Sequence, residues 1–193
     1  MLTWGEDYFR QQNARENGRV NADSESGYDD YSELDAPSKE AVDACVEAIQ
    51  PDKDATVIEI GCAYGYTVRQ MLARGLDCVG LDISAVVTER KLNDKINQGD
   101  AREHNFSSYS HVVGFNILSC FSDAELTALI PRLNSSLSRN FFQIDDALEW
   151  NPDAIRAEAL RHYNLKTLDD WRRLPWKRGT TLRAWRSGAQ VTV

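Results

Sequence analysis

Long apolar runs are absent from this chain. No stretch approaches the roughly 20 consecutive apolar residues that a membrane-spanning helix requires, so no membrane segment is expected. The first ten residues, MLTWGEDYFR, are polar and acidic rather than basic and then apolar. No leader is read there, and the default expectation is a cytoplasmic protein. Cysteine is scarce and scattered: Cys45, Cys62, Cys78 and Cys120 form no CxxC pair and no Cys/His cluster with ligand spacing. Three of them stand in apolar contexts and read as buried free thiols, so no metal site is expected. Lysine is also in short supply, 6 residues against 16 arginines, and Asp outnumbers Glu 18 to 12. That bias suits a halophilic source, where acidic surface holds water, and equally a GC-rich genome.

The net charge of −8 is unevenly spread. Residues 1–60 carry 15 acids and 5 bases, whereas residues 151–193 carry 4 acids and 9 bases together with Trp171, Trp176 and Trp185. Opposed solvated faces account for this pattern. A basic, tryptophan-bearing end also leaves open a contact with nucleic acid or protein. At 193 residues the chain fits one domain, large enough to bury roughly 70% of its unfolded surface.

What is present is an alternation of strands and helices. Residues 1–34 are polar with scattered aromatics and read as an N-terminal cap or lid; residues 35–193 read as the main domain. APSKEAVDACVEAIQP places Ala41, Val42, Cys45, Val46 and Ile49 on one helical stripe, with Ser38 as N-cap and Pro51 past the end. Strands are expected at Thr56–Ile60, Asp77–Leu81, Lys95–Gln98, His111–Phe115 and Asn140–Ile144. Helices are expected at Tyr66–Arg74, Ser84–Asn93 and Asp123–Leu137, the last opened by a Ser122/Glu125 capping box. Short apolar strands between helices imply a parallel sheet covered on both faces. Two strand-like runs flank Arg178-Gly179-Thr180, so a hairpin there would close the sheet with an antiparallel strand.

The chemistry concentrates at strand ends. TVIEIGCAYG brings an apolar strand into a glycine turn and a helix, and Asp82 closes the next strand in CVGLDIS. In an open α/β sheet this is where ligands bind. Gly61 permits a sharp turn and close approach, and Gly65 opens the helix without a side chain in the way. The dinucleotide pattern GxGxxG is poorly met, because Ala63 and Tyr66 occupy its third and sixth positions. Glu59, two residues before Gly61, would repel a phosphate but hold an ammonium group. Asp82 is placed to accept ribose hydroxyls, and Asp100 in NQGDAR to accept from an adenine amino group beside Ala101. Together these features point to S-adenosylmethionine (SAM).

These motifs resemble those of class I SAM-dependent methyltransferases: VIEIGCAYG their first motif, GLDIS their second-strand motif, GDARE their adenine-side motif and HVVGFNILSCFSDAEL their fourth-strand segment. The resemblance covers residues 38–146 well and the tail loosely. It implies an α/β, three-layer Rossmann-like sandwich with a mostly parallel seven-stranded sheet and a C-terminal antiparallel hairpin strand. It also implies a cofactor site of Glu59, Gly61, Cys62, Ala63 and Gly65 at the methionine end, Asp82 and Ile83 at the ribose, Asp100 and Ala101 at the adenine, and Asn116 on the floor. Tyr28 and Tyr31 resemble the tyrosine-bearing segment that closes over the cofactor in several relatives.

Departures limit what carries over. Ser119-Cys120 stands where many small-molecule methyltransferases have Glu-His, the Asn-Pro-Pro-Tyr signature of DNA amino-methylases is missing, and no Pro precedes Cys120. A proton-accepting base falls instead to Asp145 or Asp146, with His104 and His162 as weaker candidates. The reading is methyl transfer to an O or N acceptor on a small molecule or glycan. Two others stay open: a methyltransferase of protein or nucleic acid acting through the basic tail, and a non-catalytic SAM-fold binding or assembly protein.

Overall fold

The computed structural model describes residues 36–89, 91–144, 166–184 and 188–193. The expected cap at 1–34, with Tyr28 and Tyr31, lies outside these residues, as do Asp145, Asp146, His162 and Trp185. Among the described residues no helix is long and apolar enough to cross a membrane.

The described residues open with α1, Lys39–Ile49, where Ser38 in extended conformation turns its hydroxyl onto the Ala41 N–H. Ala41, Val42, Cys45 and Ile49 form the buried stripe. There follow β1 (Thr56–Ile60), α2 (Tyr66–Ala73), β2 (Asp77–Asp82), α3 (Ala85–Glu89), β3 (Ile96–Gln98), β4 (His111–Phe115), α4 (Asp123–Leu133), β5 (Phe141–Ile144), α5 (Leu168–Arg172), β6 (Thr181–Ala184) and β7 (Gln190–Thr192). One seven-stranded sheet runs in the order β3-β2-β1-β4-β5-β6-β7. Only the β6–β7 pairing is antiparallel.

Strand alternation divides the interior into two apolar layers. Val57 of β1 and Phe141 of β5 pack with the α1 and α2 stripes. Ile58, Ile60, Phe142 and Ile144 pack with Leu126, Leu129, Ile130 and Leu133 of α4 and with Trp171 of α5. The chain travels outward from β1 to β3 and then returns to place β4 on the other side of β1. The C-terminal ends of β1 and β4 therefore flank the switch point.

Beyond shifts of one residue at several element ends, three features differ from those read in the sequence. The helix expected through Asn93 ends its described course at Glu89, and Asn93 instead accepts the Lys95 N–H in a tight turn at 2.9 Å. The helix expected through Leu137 stops at Leu133. There the Ser135 hydroxyl donates to the Arg132 carbonyl at 2.6 Å, competing with the helical ladder. The closing hairpin lies one strand later than Arg178-Gly179-Thr180. Gly179 (φ 88) delivers the chain into β6, and the hairpin joins β6 to β7. The run before it is no strand, because Trp176 folds back, donating from Nε1 to the Trp171 carbonyl at 2.8 Å and packing on Phe142.

Asn140 fastens the lower end of the sheet. Fully buried, it accepts the Val112 N–H (3.0 Å) and the Ser136 hydroxyl (2.7 Å), and it donates to the Leu133 carbonyl (3.0 Å). One side chain thus joins β4, the end of α4 and the start of β5. Asn140→Ala leaves a buried N–H of β4 without a partner, so it is expected to cost about 2–4 kcal/mol in urea unfolding. A loss below about 1 kcal/mol would show that the clasp is dispensable.

Candidate functional site

The turn after β1 is tightly wound. Gly61 (φ 67), Ala63 (φ 46) and Gly65 (φ 86) all adopt left-handed backbone within five residues. The Gly61 N–H donates to the Leu81 carbonyl of β2 at 2.8 Å, and the Gly65 N–H to the Cys62 carbonyl at 2.9 Å. Gly65 then caps α2. Glycine is required here by the protein's own packing. A Cβ on Gly61 would stand 2.6 Å from Ile117, and one on Gly65 would stand 2.5 Å from Ile96. Sequence reasoning gave Gly61 to a sharp turn and close ligand approach and Gly65 to an unobstructed helix start; the side chains that crowd both positions follow β4 and enter β3.

Asp82 holds the turn in place. Its Oδ2 accepts the Ala63 N–H at 3.0 Å and its Oδ1 the Ser84 N–H at 2.9 Å. The left-handed Ala63, a conformation that costs a non-glycine residue about 1–2 kcal/mol, is thereby anchored by a charge-assisted bond. Burial pushes the Asp82 carboxyl up, and the Ser84 and Ala63 N–H donors offset part of that rise. A carboxylate offers about four lone-pair sites, so acceptor capacity remains for a ligand.

Glu59 shares the β1 face with Val57 and looks toward α1 and α2 rather than toward water. It is 2% exposed. The Thr67 hydroxyl, in the first turn of α2, bonds its carboxyl, while Oε2 is buried with no partner. Burial drives the Glu59 carboxyl well above the ordinary range, and the nearby Asp82 carboxylate pushes it further; Thr67 works the other way. Asn116, directly after β4, holds a second such acceptor. Its Oδ1 is buried without a partner, and its backbone is left-handed at φ 55.

Asp100 follows β3 as expected, but its carboxylate is engaged. Arg102 bonds both oxygens, with Nη2 to Oδ2 at 2.6 Å and Nε at 3.0 and 2.9 Å, and extends Nη1 to Glu125 at 2.6 Å. Partial burial raises the Asp100 carboxyl, but Arg102 outweighs it and leaves the group below its usual range. Glu125 also closes the capping box with Ser122, so one ionic chain ties the loop after β3 to the start of α4. Cys62 is buried, its thiol pushed up by burial and by Glu59. Ile83 lends its carbonyl to Gln98, and Ala101 packs against the α4 layer. His104 lies against Phe106 and Tyr109. Burial and Arg132 both hold its imidazole below the usual range. Cys120 is buried.

The structure thus brings Glu59, Gly61, Ala63, Asp82 and Asn116 to neighbouring strand ends. Sequence reasoning missed Thr67, Ile117 and Arg102. Only Arg102 carried a readable signal, a cation two residues beyond the expected ligand Asp100.

Glu59 is expected to make the free protein less stable in base. Its folded carboxyl titrates well above the unfolded value of 4.5, so the folded state binds more protons across that interval. Stability is full below 4.5 and declines as pH rises toward the folded value. Glu59→Gln removes the titration, and urea midpoints between pH about 5 and 8 should fall less in the variant than in the parent. Parallel curves would show that the buried carboxyl does not titrate in this window.

A family model described as a methyltransferase domain matches residues 34–184, most of the chain. Among solved structures, the chain is similar to the YcgJ protein from Bacillus subtilis: 13% identity, TM-score 0.56, with 70% of this chain and 65% of that one covered. It is also similar to a SAM-bound amino pentose methyltransferase from Micromonospora echinaspora involved in calicheamicin biosynthesis. That match has 18% identity and a TM-score of 0.44, with 52% of this chain and 44% of that one covered. In both matches the chain spans less than two thirds of the solved protein's length. No curated protein matches the chain significantly. By the match to residues 34–184, the chain belongs to the methyltransferase-domain family.

Proposed function

We propose that this chain binds SAM across the C-terminal ends of β1, β2 and β3 and methylates an oxygen or nitrogen of a small molecule or glycan. The observation that carries the reading is the unpartnered Oε2 of Glu59, a buried acceptor at the strand end where a ligand ammonium would arrive. Leaving such a group unpaired costs about 1–3 kcal/mol or more, and a ligand cation removes that cost. The other subsites suit the same molecule. Asp82 has acceptor capacity for ribose hydroxyls, and Asp100 follows β3 at the adenine end, where an adenine amino group would share the carboxylate with Arg102.

When bound, SAM supplies a methyl group on a positively charged sulfur. The chain's own residues supply position. Asp82 and Thr67 fix the β1 turn and the Glu59 carboxylate, and holding acceptor and donor in line contributes most of the rate. Asp145 and Asp146 directly follow β5, the neighbour of β4, and take the role of proton acceptor in this reading. Tyr28 and Tyr31 take the role of cover against water.

A small acceptor is preferred to nucleic acid because the described cations of the tail are largely engaged. Arg172 pairs with Asp169 and Arg173 with Asp170, at 3.2 and 3.1 Å. The Lys177 ammonium donates to the Ser136 carbonyl and hydroxyl, each at 2.7 Å, and Arg183 donates to Gln143 at 2.8 Å.

Calorimetric titration with SAM tests the proposal. Binding is expected for the parent protein, and Asp82→Asn should weaken it about tenfold or more by removing a charge-assisted acceptor. Affinity should also decline on acidification from above the ordinary carboxylate range, because Glu59 and Asp82 both titrate upward of their usual values. No heat of binding at about millimolar SAM, a limit near 4 kcal/mol of affinity, sinks the reading.

A further inference from the structure

We propose that a second ligand site lies at the N-terminal ends of β5 and β6, away from the strand ends of the cofactor reading, and that it takes a sugar phosphate. The inference does not depend on SAM binding.

The alternation of the last two strands builds the site. Leu182 of β6 and Val191 of β7 pack with the α4 and α5 layer, and Ala184 is buried on the same side. Thr181, Arg183, Gln190 and Thr192 therefore face the other way. Thr181 is in register with Phe141, which packs with α1. Past the end of α1, that face of the sheet carries hydroxyls and an amide instead of apolar side chains. A cavity of about 560 Å³ opens there, lined by described residues alone. Its size is that of a small-molecule pocket.

Two guanidiniums converge on this cavity. Arg139, just before β5, is held by Gln50 at the end of α1, whose side-chain oxygen accepts from Nη1. Its stem lies 3.5 Å from where a Cβ on Gly179 would stand. Arg178, just before β6, is exposed and makes no side-chain hydrogen bond or ion pair among the described residues. It is the exception in this part of the chain. Lys166, Arg172, Arg173, Lys177 and Arg183 are all engaged. Beside the two arginines, the Thr181 and Thr192 hydroxyls bond each other at 2.9 Å, and Gln190 adds an amide.

The charge balance selects the ligand. A guanidinium fork matches the oxygens of a phosphate or carboxylate. Two forks on one anion favour phosphate, which has three terminal oxygens to share. Glu47 lines the same cavity, and the C-terminus of α1 adds partial negative charge. Both oppose a dense polyanion. A ligand with one phosphate and several hydroxyls meets both signs. Its anion pairs with Arg139 and Arg178, while its hydroxyls donate to Glu47 and bond Thr192 and Gln190. No aromatic side chain lines the cavity, so a nucleobase would have nothing to stack on.

Calorimetric titration with glucose 6-phosphate tests the site, with inorganic phosphate and glucose as companions. Glucose 6-phosphate is expected to bind the parent protein at about millimolar concentration or tighter. It should bind about tenfold more tightly than inorganic phosphate, through its hydroxyls, and glucose should not bind. Arg178→Gln, at an exposed position, should weaken glucose 6-phosphate about tenfold and leave the urea midpoint unchanged. Thr192→Val should narrow the preference over inorganic phosphate. Absence of binding by the parent at about 10 mM glucose 6-phosphate, or an affinity untouched by Arg178→Gln, overturns the site. Equal affinity for inorganic phosphate and glucose 6-phosphate overturns the sugar phosphate as its ligand.

Discussion

A single buried carboxylate sets the geometry of this site. Asp82 receives N–H groups from Ala63 on one turn and from Ser84 on the next, so the ends of β1 and β2 are fixed relative to each other by one side chain. The same charge acts on Glu59 and raises the cost of ionising it. Two carboxyls in a desolvated pocket cannot both ionise cheaply. A cation placed beside Glu59 lowers the cost for both. The preference for a positively charged ligand group is therefore built into the pair rather than into either residue alone.

Several strained or unpaired groups lie at the ends of β1 and β4, and the surrounding structure is what tolerates them. Ala63 and Asn116 are left-handed, and Glu59 and Asn116 each hold a buried oxygen without a partner. Against them stand dense contacts. Ile117 fills the space over Gly61 and Gly114, and Ile96 fills that over Gly65. Gly80 leaves room for the Cys62 sulfur, which would lie 2.5 Å from a Cβ at that position. A core this closely packed transmits strain instead of relaxing it, and strained groups of this kind persist where the surroundings over-determine them.

Much of this was legible in the sequence, for identifiable reasons. β1, β4 and the caps at Ser38 and Ser122 emerged at their expected positions, because apolar runs between turn formers and a Ser-x-x-Glu box act locally. The carboxylates at strand ends were legible because they interrupt apolar strands. The tail was not, because Arg178-Gly179-Thr180 has turn chemistry whichever strand it serves, and only the docking of Trp176 on Phe142 decides that it leads into β6. Thr67 was invisible for a similar reason. A threonine in a first helical turn has no special pattern until the strand beside it presents Glu59. Arg102 was written in the sequence, but its reach to Glu125, 23 residues away, depends on the fold.

Topology alone does not choose the cofactor. The first six strands follow the order 3-2-1-4-5-6, which dinucleotide-binding sheets also use, so the choice falls on the β1 turn. A pyrophosphate needs free N–H groups and no opposing anion. Here the Ala63 N–H is already given to Asp82, the Gly61 N–H to Leu81 and the Gly65 N–H to Cys62, while Glu59 lies buried two residues before the turn. Three N–H groups of the turn itself are therefore engaged, and the charge present would oppose a phosphate. What the turn still offers is acceptor capacity, at Glu59, at Asn116 and in part at Asp82. A ligand that fits must bring hydrogens and positive charge, and an amino-acid ammonium joined to a nucleoside brings both.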